Sequence, residues 1–253
     1  MMMRVKLVVA YDGTAYCGWQ VQNNGISVQG KLNEALSGLF QKQIQCIGAS
    51  RTDAGVHAEG NVCVFDVDTR MPAEKIAYAL NQRLPEDIAV VGSSAVDADF
   101  HPRFDAKRKT YEYRIWNARF PNPILRNTSH FFHYPLDTGS MMEAGQYLLG
   151  EHDFTSFASI HAQTRTFVRT LYSLQVEREA SHAARSDGQL VRIRICGNGF
   201  LYNMVRIIAG TLIQVGSGMR SADSIPAVLE GRDRSLAGPT APAKGLILRE
   251  IEY

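Results

Sequence analysis

The sequence predicts an α+β protein made of two ferredoxin-like (split βαβ) halves, and three observations carry that prediction. Short runs alternate apolar and polar residues and end on turn formers; other runs repeat apolar residues at three- and four-residue spacing. The two kinds follow one another as strand, helix, strand, strand, helix, strand, and the order then recurs. Each half folds as an antiparallel or mixed sheet with its helices on one face, and two such sheets joined side by side leave a cleft between the halves. The halves read as residues 1–106 and 107–253, each long enough for a core of its own.

Val5 to Tyr11 is an apolar run ending at Asp12-Gly13, a strand and its turn. The loop after it contains Tyr16, Gly18, Trp19 and Gln20. Ser27 is placed to cap a helix whose Val28, Leu32, Leu36 and Leu39 form one stripe. Ile44 to Ala49 is a short strand and Asn61 to Val67 a longer one. Pro72 opens a second helix with Ile76, Leu80 and Leu84 on one face, Pro85 stops it, and Ile88 to Val96 is the fourth strand.

The second half is less regular. Thr110 to Trp116 alternates as a strand, and Asp137 or Thr138 caps a helix that ends before Gly150. Phe167 to Glu179 and Leu190 to Cys196 are strands joined by the polar loop Ser181 to Gln189. Gly197-Asn198-Gly199 leads into a helix from about Phe200 to Val215, a short helix follows near Ser224 to Leu229, and Leu246 to Tyr253 alternates as the last strand. No low-complexity linker separates the halves, so a tight junction is expected near residues 105 to 110.

Composition narrows the classes. A net charge of +2 is too small to announce a polyanion partner by itself. No apolar run approaches membrane-spanning length, and MMMRVKLVVAYDG lacks a hydrophobic signal core, so a cytoplasmic protein without membrane attachment is expected. Cys17, Cys46, Cys63 and Cys196 form neither CxxC pairs nor a disulfide framework, which fits reduced thiols.

Chemistry concentrates in GASRTDAGVHA, Gly48 to Ala58, where Asp53 lies between Arg51 and Gly55. Small neighbours (Ala49, Ser50, Ala54, Gly55) let a flat ligand approach the backbone. A nearby arginine favours the ionised carboxylate, which suits a nucleophile or a base; the same residues also suit a turn tied by an ion pair. From His101 to Arg114 the chain carries Arg103, Lys107, Arg108, Lys109 and Arg114 against Asp105 and Glu112, with Tyr111, Tyr113 and Trp116 close by. Basic groups for phosphates beside aromatics for bases are what looped RNA binding uses; a solvated strand face over core aromatics has the same look. In the later helix Met204, Ile208 and Leu212 form the core stripe, while Asn203, Arg206 and Gly210 share another face. Asp66 and Asp68 project to one face of a strand but have no His or Cys at ligand spacing, so no metal site is expected there.

RTDAGVHA, preceded by GAS, resembles the active-site loop of the tRNA pseudouridine synthase A family. YDGTAYCGWQ with SVQGKLNEAL, ALNQRLPEDI, FHPRFDAKRKTYEYRIW, EHDFTSF, GNGFLYNMVRIIAGTL and APAKGLILREIEY resemble the same family in the same order, over nearly the whole chain. The resemblance implies that Asp53 is the catalytic aspartate and that Tyr111 stacks on the target base and is a candidate for removing the C5 proton. It implies that Arg206 pairs with the aspartate, Leu246 lines the base pocket and Arg51 fills the space left by the flipped nucleotide. Arg103, from the basic cluster, is a further candidate for binding RNA. Ser50 stands where the family usually has glycine, and Asn203 where histidine is more usual. His57 reads as fixing the loop by a hydrogen bond, with contact to RNA as the other reading.

The implied reaction isomerises uridine to pseudouridine in the anticodon stem-loop of tRNA, by a homodimer that holds tRNA across both subunits. It breaks the N1–C1′ bond, rotates the base and rejoins it through C5, so it calls for no redox cofactor and no metal. A carboxylate serves by attacking C1′, by attacking C6 or by taking the C2′ proton, and the sequence leaves all three open. Base extrusion costs a few kcal/mol, which a stacked tyrosine partly offsets. A silent RNA-binding paralogue is the alternative of another class. A hydrolytic glycosidase would want a second acid, for which the loop offers only Glu59.

Overall fold

The computed structural model describes residues 2–23, 25–180 and 188–253; positions 181–187 of the predicted polar loop lie outside them. The chain divides into two compact units, Met1–Lys107 with Ile247–Tyr253, and Arg108–Leu246. In chain order the first contains β1 (Met2–Tyr11), α1 (Val28–Phe40), β2 (Ile47–Gly48), β3 (His57–Asp68), α2 (Ala73–Asn81) and β4 (Ile88–Val96). The second contains β5 (Arg108–Asn117), β6 (His130–Phe132), α3 (Thr138–Gln146), β7 (Gly150–Asp153), β8 (Val168–Ala180), β9 (Gln189–Gly197), α4 (Met204–Gly216) and α5 (Ile225–Gly231). The final strand is β10 (Leu246–Glu252).

Strand β1 is the axis of the first unit. Its residues Val5, Leu7, Val9 and Tyr11 are buried and the intervening Lys6, Val8 and Ala10 only partly so, the two-residue period of a sheet with one covered face. It pairs antiparallel with β3 on one side and with β4 on the other. The Ser27 hydroxyl accepts from Gly30 N–H at 3.1 Å and starts α1, which buries Val28, Leu32 and Leu36. In α2, opened at Pro72, Ile76 and Leu80 are fully covered. Asp66 on β3 accepts from Arg4 Nε and Nη2, both at 2.8 Å, so one of the two FDVD carboxylates belongs to a bidentate ion pair. Among the described residues no cluster of His, Cys, Asp and Glu is arranged to hold a metal ion.

In sequence order the last strand follows the second half, yet Ile247–Tyr253 belongs to the first unit: β10 runs parallel to β3, with Ile247 opposite His57 and Leu248 opposite Ala58. Strand pairing is a long-range choice that alternation along the chain does not encode. The predicted strand Ile44 to Ala49 contracts to β2, two residues paired with Val64 and Cys63.

The second unit has antiparallel strands in the order β5, β9, β8, β7, with β6 parallel to β5. Tyr111, Tyr113 and Ile115 on β5 register with Ile195, Ile193 and Val191 on β9, and all six are buried. On the opposite face Glu112 registers with Arg194 and Arg114 with Arg192. Asp137 caps α3, accepting from Gly139 and Ser140 N–H at 2.8 and 3.3 Å. Helix α4 is buried almost all round: the face with Gly210 is covered by residues 239–241, and a Cβ at Gly210 would lie 1.8 Å from Pro239 O. No helix among the described residues is long and apolar enough to cross a membrane.

Candidate active site

Residues 49–56 connect β2 to β3 and carry Asp53. Ser50 and Thr52 are buried, Arg51 is exposed and Asp53 is half-buried, so alternate residues turn inward and outward. The loop is clasped by the turn after β1. Trp19 N–H donates to Thr52 O at 3.1 Å, Gly55 N–H to Tyr16 O at 3.3 Å, and Val56 N–H to Asp53 O at 3.1 Å. The last bond closes a tight turn in which Gly55 has φ 76°, a conformation glycine adopts without strain. The sequence motifs YDGTAYCGWQ and RTDAG are therefore two sides of one local structure.

His57 is buried, and its Nδ1 accepts from Gly13 N–H at 3.1 Å. Asp12 Oδ1 lies 3.1 Å from the same nitrogen. In the neutral ring Nδ1 is the acceptor for Gly13; only the protonated ring makes an ion pair with Asp12. Burial pushes the Asp12 carboxyl up, but hydrogen bonds from the Thr14 side chain and backbone, with His57 nearby, outweigh it and hold the group below its usual range.

Tyr111, Arg206 and Leu246 belong to the second unit. The Tyr111 ring is buried and meets the half-buried Phe200 edge to face, with centroids 5.1 Å apart at 81°. The Tyr113 hydroxyl donates to Pro242 O at 2.9 Å, and burial pushes its phenol well above the usual range. Arg206, on the first turn of α4, donates through Nε to Ala241 O at 2.8 Å and through Nη1 to Asn203 Oδ1 at 2.9 Å. Asn203 sits at φ 62°, a left-handed conformation that asparagine tolerates better than most side chains. Leu246, at the start of β10, is 5% exposed.

The basic cluster of residues 101–114 divides. Arg103 and Phe104 are exposed on the first unit, where the His101 ring stacks on Phe104 at 4.2 Å, whereas Tyr111, Tyr113 and Trp116 are buried in the second. Arg114 Nε donates to Glu112 Oε1 at 2.7 Å, and Arg194 adds a second contact at 3.2 Å, so Arg114 has a protein partner. Glu59, the second acid a glycosidase would want, pairs with Arg249 at 2.5 Å. Beyond the residues expected from the sequence, the structure exposes the Phe104 ring, sets Phe200 half-buried against Tyr111, and bonds the Tyr11 hydroxyl and the Asn61 amide to the loop. An aromatic inside FHPRF was a visible signal for Phe104; Tyr11 and Asn61 look like ordinary strand residues until the strands pair.

Residues 7–105 and 144–253 match the family model described as tRNA pseudouridine synthase. The chain belongs to the tRNA pseudouridine synthase family. Curated relatives of that family match along 100% of this chain and 100% of their own length. A protein of Acetivibrio thermocellus named tRNA pseudouridine synthase A is 46% identical over 252 residues. One of a Thermoanaerobacter species with the same name is 44% identical over 252 residues, and tRNA pseudouridine synthase A 2 of Bacillus cereus is 42% identical over 253. Family membership agrees with the α+β architecture seen in both units.

Proposed function

We propose that this protein is an isomerase that converts uridine to pseudouridine in tRNA, with Asp53 as its catalytic carboxylate. The observation that carries the reading is the end-to-end identity of 46% with a protein named tRNA pseudouridine synthase A. In the reaction the N1–C1′ bond breaks, the uracil rotates, C5 bonds to C1′ and the C5 proton leaves while N1 gains one, so atoms balance within the nucleotide and one exchanged proton. The half-burial of Asp53 and the backbone hydrogen bonds that tie its loop support a role as nucleophile or base. Tyr111 is proposed to stack on the base and remove the C5 proton, Arg206 to pair with Asp53, Leu246 to line the base pocket, Arg51 to fill the vacated stack and Arg103 to hold phosphate.

The substrate uridines are proposed to lie on the 3′ side of the anticodon stem-loop, and the active form to be a homodimer in the cytoplasm. The four free cysteines fit a reducing compartment. Tritium release from tRNA labelled at uridine C5 tests the reaction, and pseudouridine mapping in a strain lacking the protein tests the positions. The wild type should release tritium and Asp53→Asn should not. Equal release by both would remove Asp53 from the chemistry; no release by either, with tRNA still bound, would favour an RNA-binding paralogue; free uracil would indicate a hydrolase.

A further inference from the structure

We infer that Tyr11, Asn61 and Thr52 form a buried hydrogen-bonded relay that positions Asp53, making Tyr11 and Thr52 positioning residues for the reaction. Asn61 is fully buried, and its side-chain amide serves the loop rather than another side of the core. Its Nδ2 donates to Ser50 O at 3.1 Å and to the Tyr11 hydroxyl at 3.2 Å, while its Oδ1 accepts from Val62 N–H at 2.9 Å. The Tyr11 hydroxyl that accepts from Asn61 also shares a hydrogen bond with Thr52 Oγ1, 2.7 Å away. The relay thus grips the residues on either side of Arg51, Ser50 by its carbonyl and Thr52 by its hydroxyl. Trp19 N–H holds the Thr52 carbonyl from the other side.

Both ends of Thr52, side chain and carbonyl, are fixed immediately before Asp53. Holding Ser50 and Thr52 inward leaves Arg51 exposed and Asp53 half-buried, which is the alternation observed. A buried polar network of this kind specifies one conformation where apolar packing would allow several, because a loop that slipped would strand the Asn61 amide without partners. A carboxylate that attacks or removes a proton acts only from a narrow range of positions, so a loop displaced by about 1 Å loses up to a hundredfold in rate.

The inference rests on the proposed role of Asp53, so its test carries Asp53→Asn in parallel. Single-turnover and steady-state pseudouridine formation are measured for Tyr11→Phe, Thr52→Val, Thr52→Ser and the double variant Tyr11→Phe/Thr52→Val, below the midpoint of each variant's thermal unfolding. The expected result is a kcat lowered about ten- to hundredfold by Tyr11→Phe and by Thr52→Val, with KM for tRNA changed by less than about twofold. The double variant should be no slower than the slower single one, and Thr52→Ser should restore the wild-type rate, because its hydroxyl is kept. Unchanged kcat in Tyr11→Phe, or losses that multiply in the double variant, would overturn the relay while a dead Asp53→Asn left the role of Asp53 standing. A fully active Asp53→Asn would overturn both.

Discussion

Arg206 Nη1 donates to Asn203 Oδ1 at 2.9 Å, across the turn that starts α4, and the asparagine that accepts it is held at φ 62°. One residue thereby sets the helix entry and orients the guanidinium. Asn203→Ala would put a Cβ-bearing residue without a local hydrogen bond into the left-handed region, at about 1–2 kcal/mol, and remove the acceptor. Asn203→Gly removes the acceptor without the backbone cost. Given the role proposed for Arg206, both variants should lose about tenfold in kcat, equivalent to about 1.4 kcal/mol of barrier, while urea unfolding finds only the alanine variant clearly destabilised. Wild-type kcat in Asn203→Gly would show that Asn203 does not orient Arg206.

Gly210 offers a contest of two effects. Alanine is favoured over glycine by about 1 kcal/mol in a helix interior, yet a Cβ here would lie 1.8 Å from Pro239 O, a backbone atom. The overlap costs about 1–3 kcal/mol or more and should win, so Gly210→Ala should lower the urea midpoint. A raised midpoint would mean that residues 239–241 yield easily.

Arg103 and Phe104 should separate charge from stacking. Arg103→Ala should reduce the slope of log affinity for tRNA against log salt by about 0.7–1, the share of one phosphate contact. Phe104→Ala should weaken binding by about 1–3 kcal/mol at every salt concentration if a base stacks on it. Neither should alter kcat at saturating tRNA. Filter binding from low to moderate salt reads both, and an unchanged slope in Arg103→Ala would take that side chain off the RNA.

Asp12, in the turn after β1, ties stability to pH. Its carboxyl lies below the usual 3.8 in the folded protein despite partial burial, because Thr14 and His57 favour the ionised form. A depressed folded-state value stabilises the fold above the unfolded value, and that stability fades as pH falls through the folded one. Unfolding midpoints should therefore drop on the acid side of about pH 4, and Asp12→Asn should show lower stability at neutral pH with a shallower acid limb. Parallel acid limbs for wild type and variant would exclude Asp12 as a contributor.

The sequence by itself determined most of what is local. An apolar run ending at Asp12-Gly13 named β1, alternation named β5 and β10, Ser27 and Asp137 marked helix starts, and the RTDAG motif located the candidate carboxylate, because each signal lies within a few neighbouring residues. It also pointed to the family, through motifs spread along the chain. Tertiary structure decided what depends on partners far away in sequence. Only strand pairing brought β10 to β3, and only the cover over Gly210 revealed that α4 is buried beyond one stripe. Tyr11 and Asn61 became supports of the Asp53 loop once β1 and β3 paired, since a hydrogen bond across fifty residues leaves no periodicity in the chain that makes it.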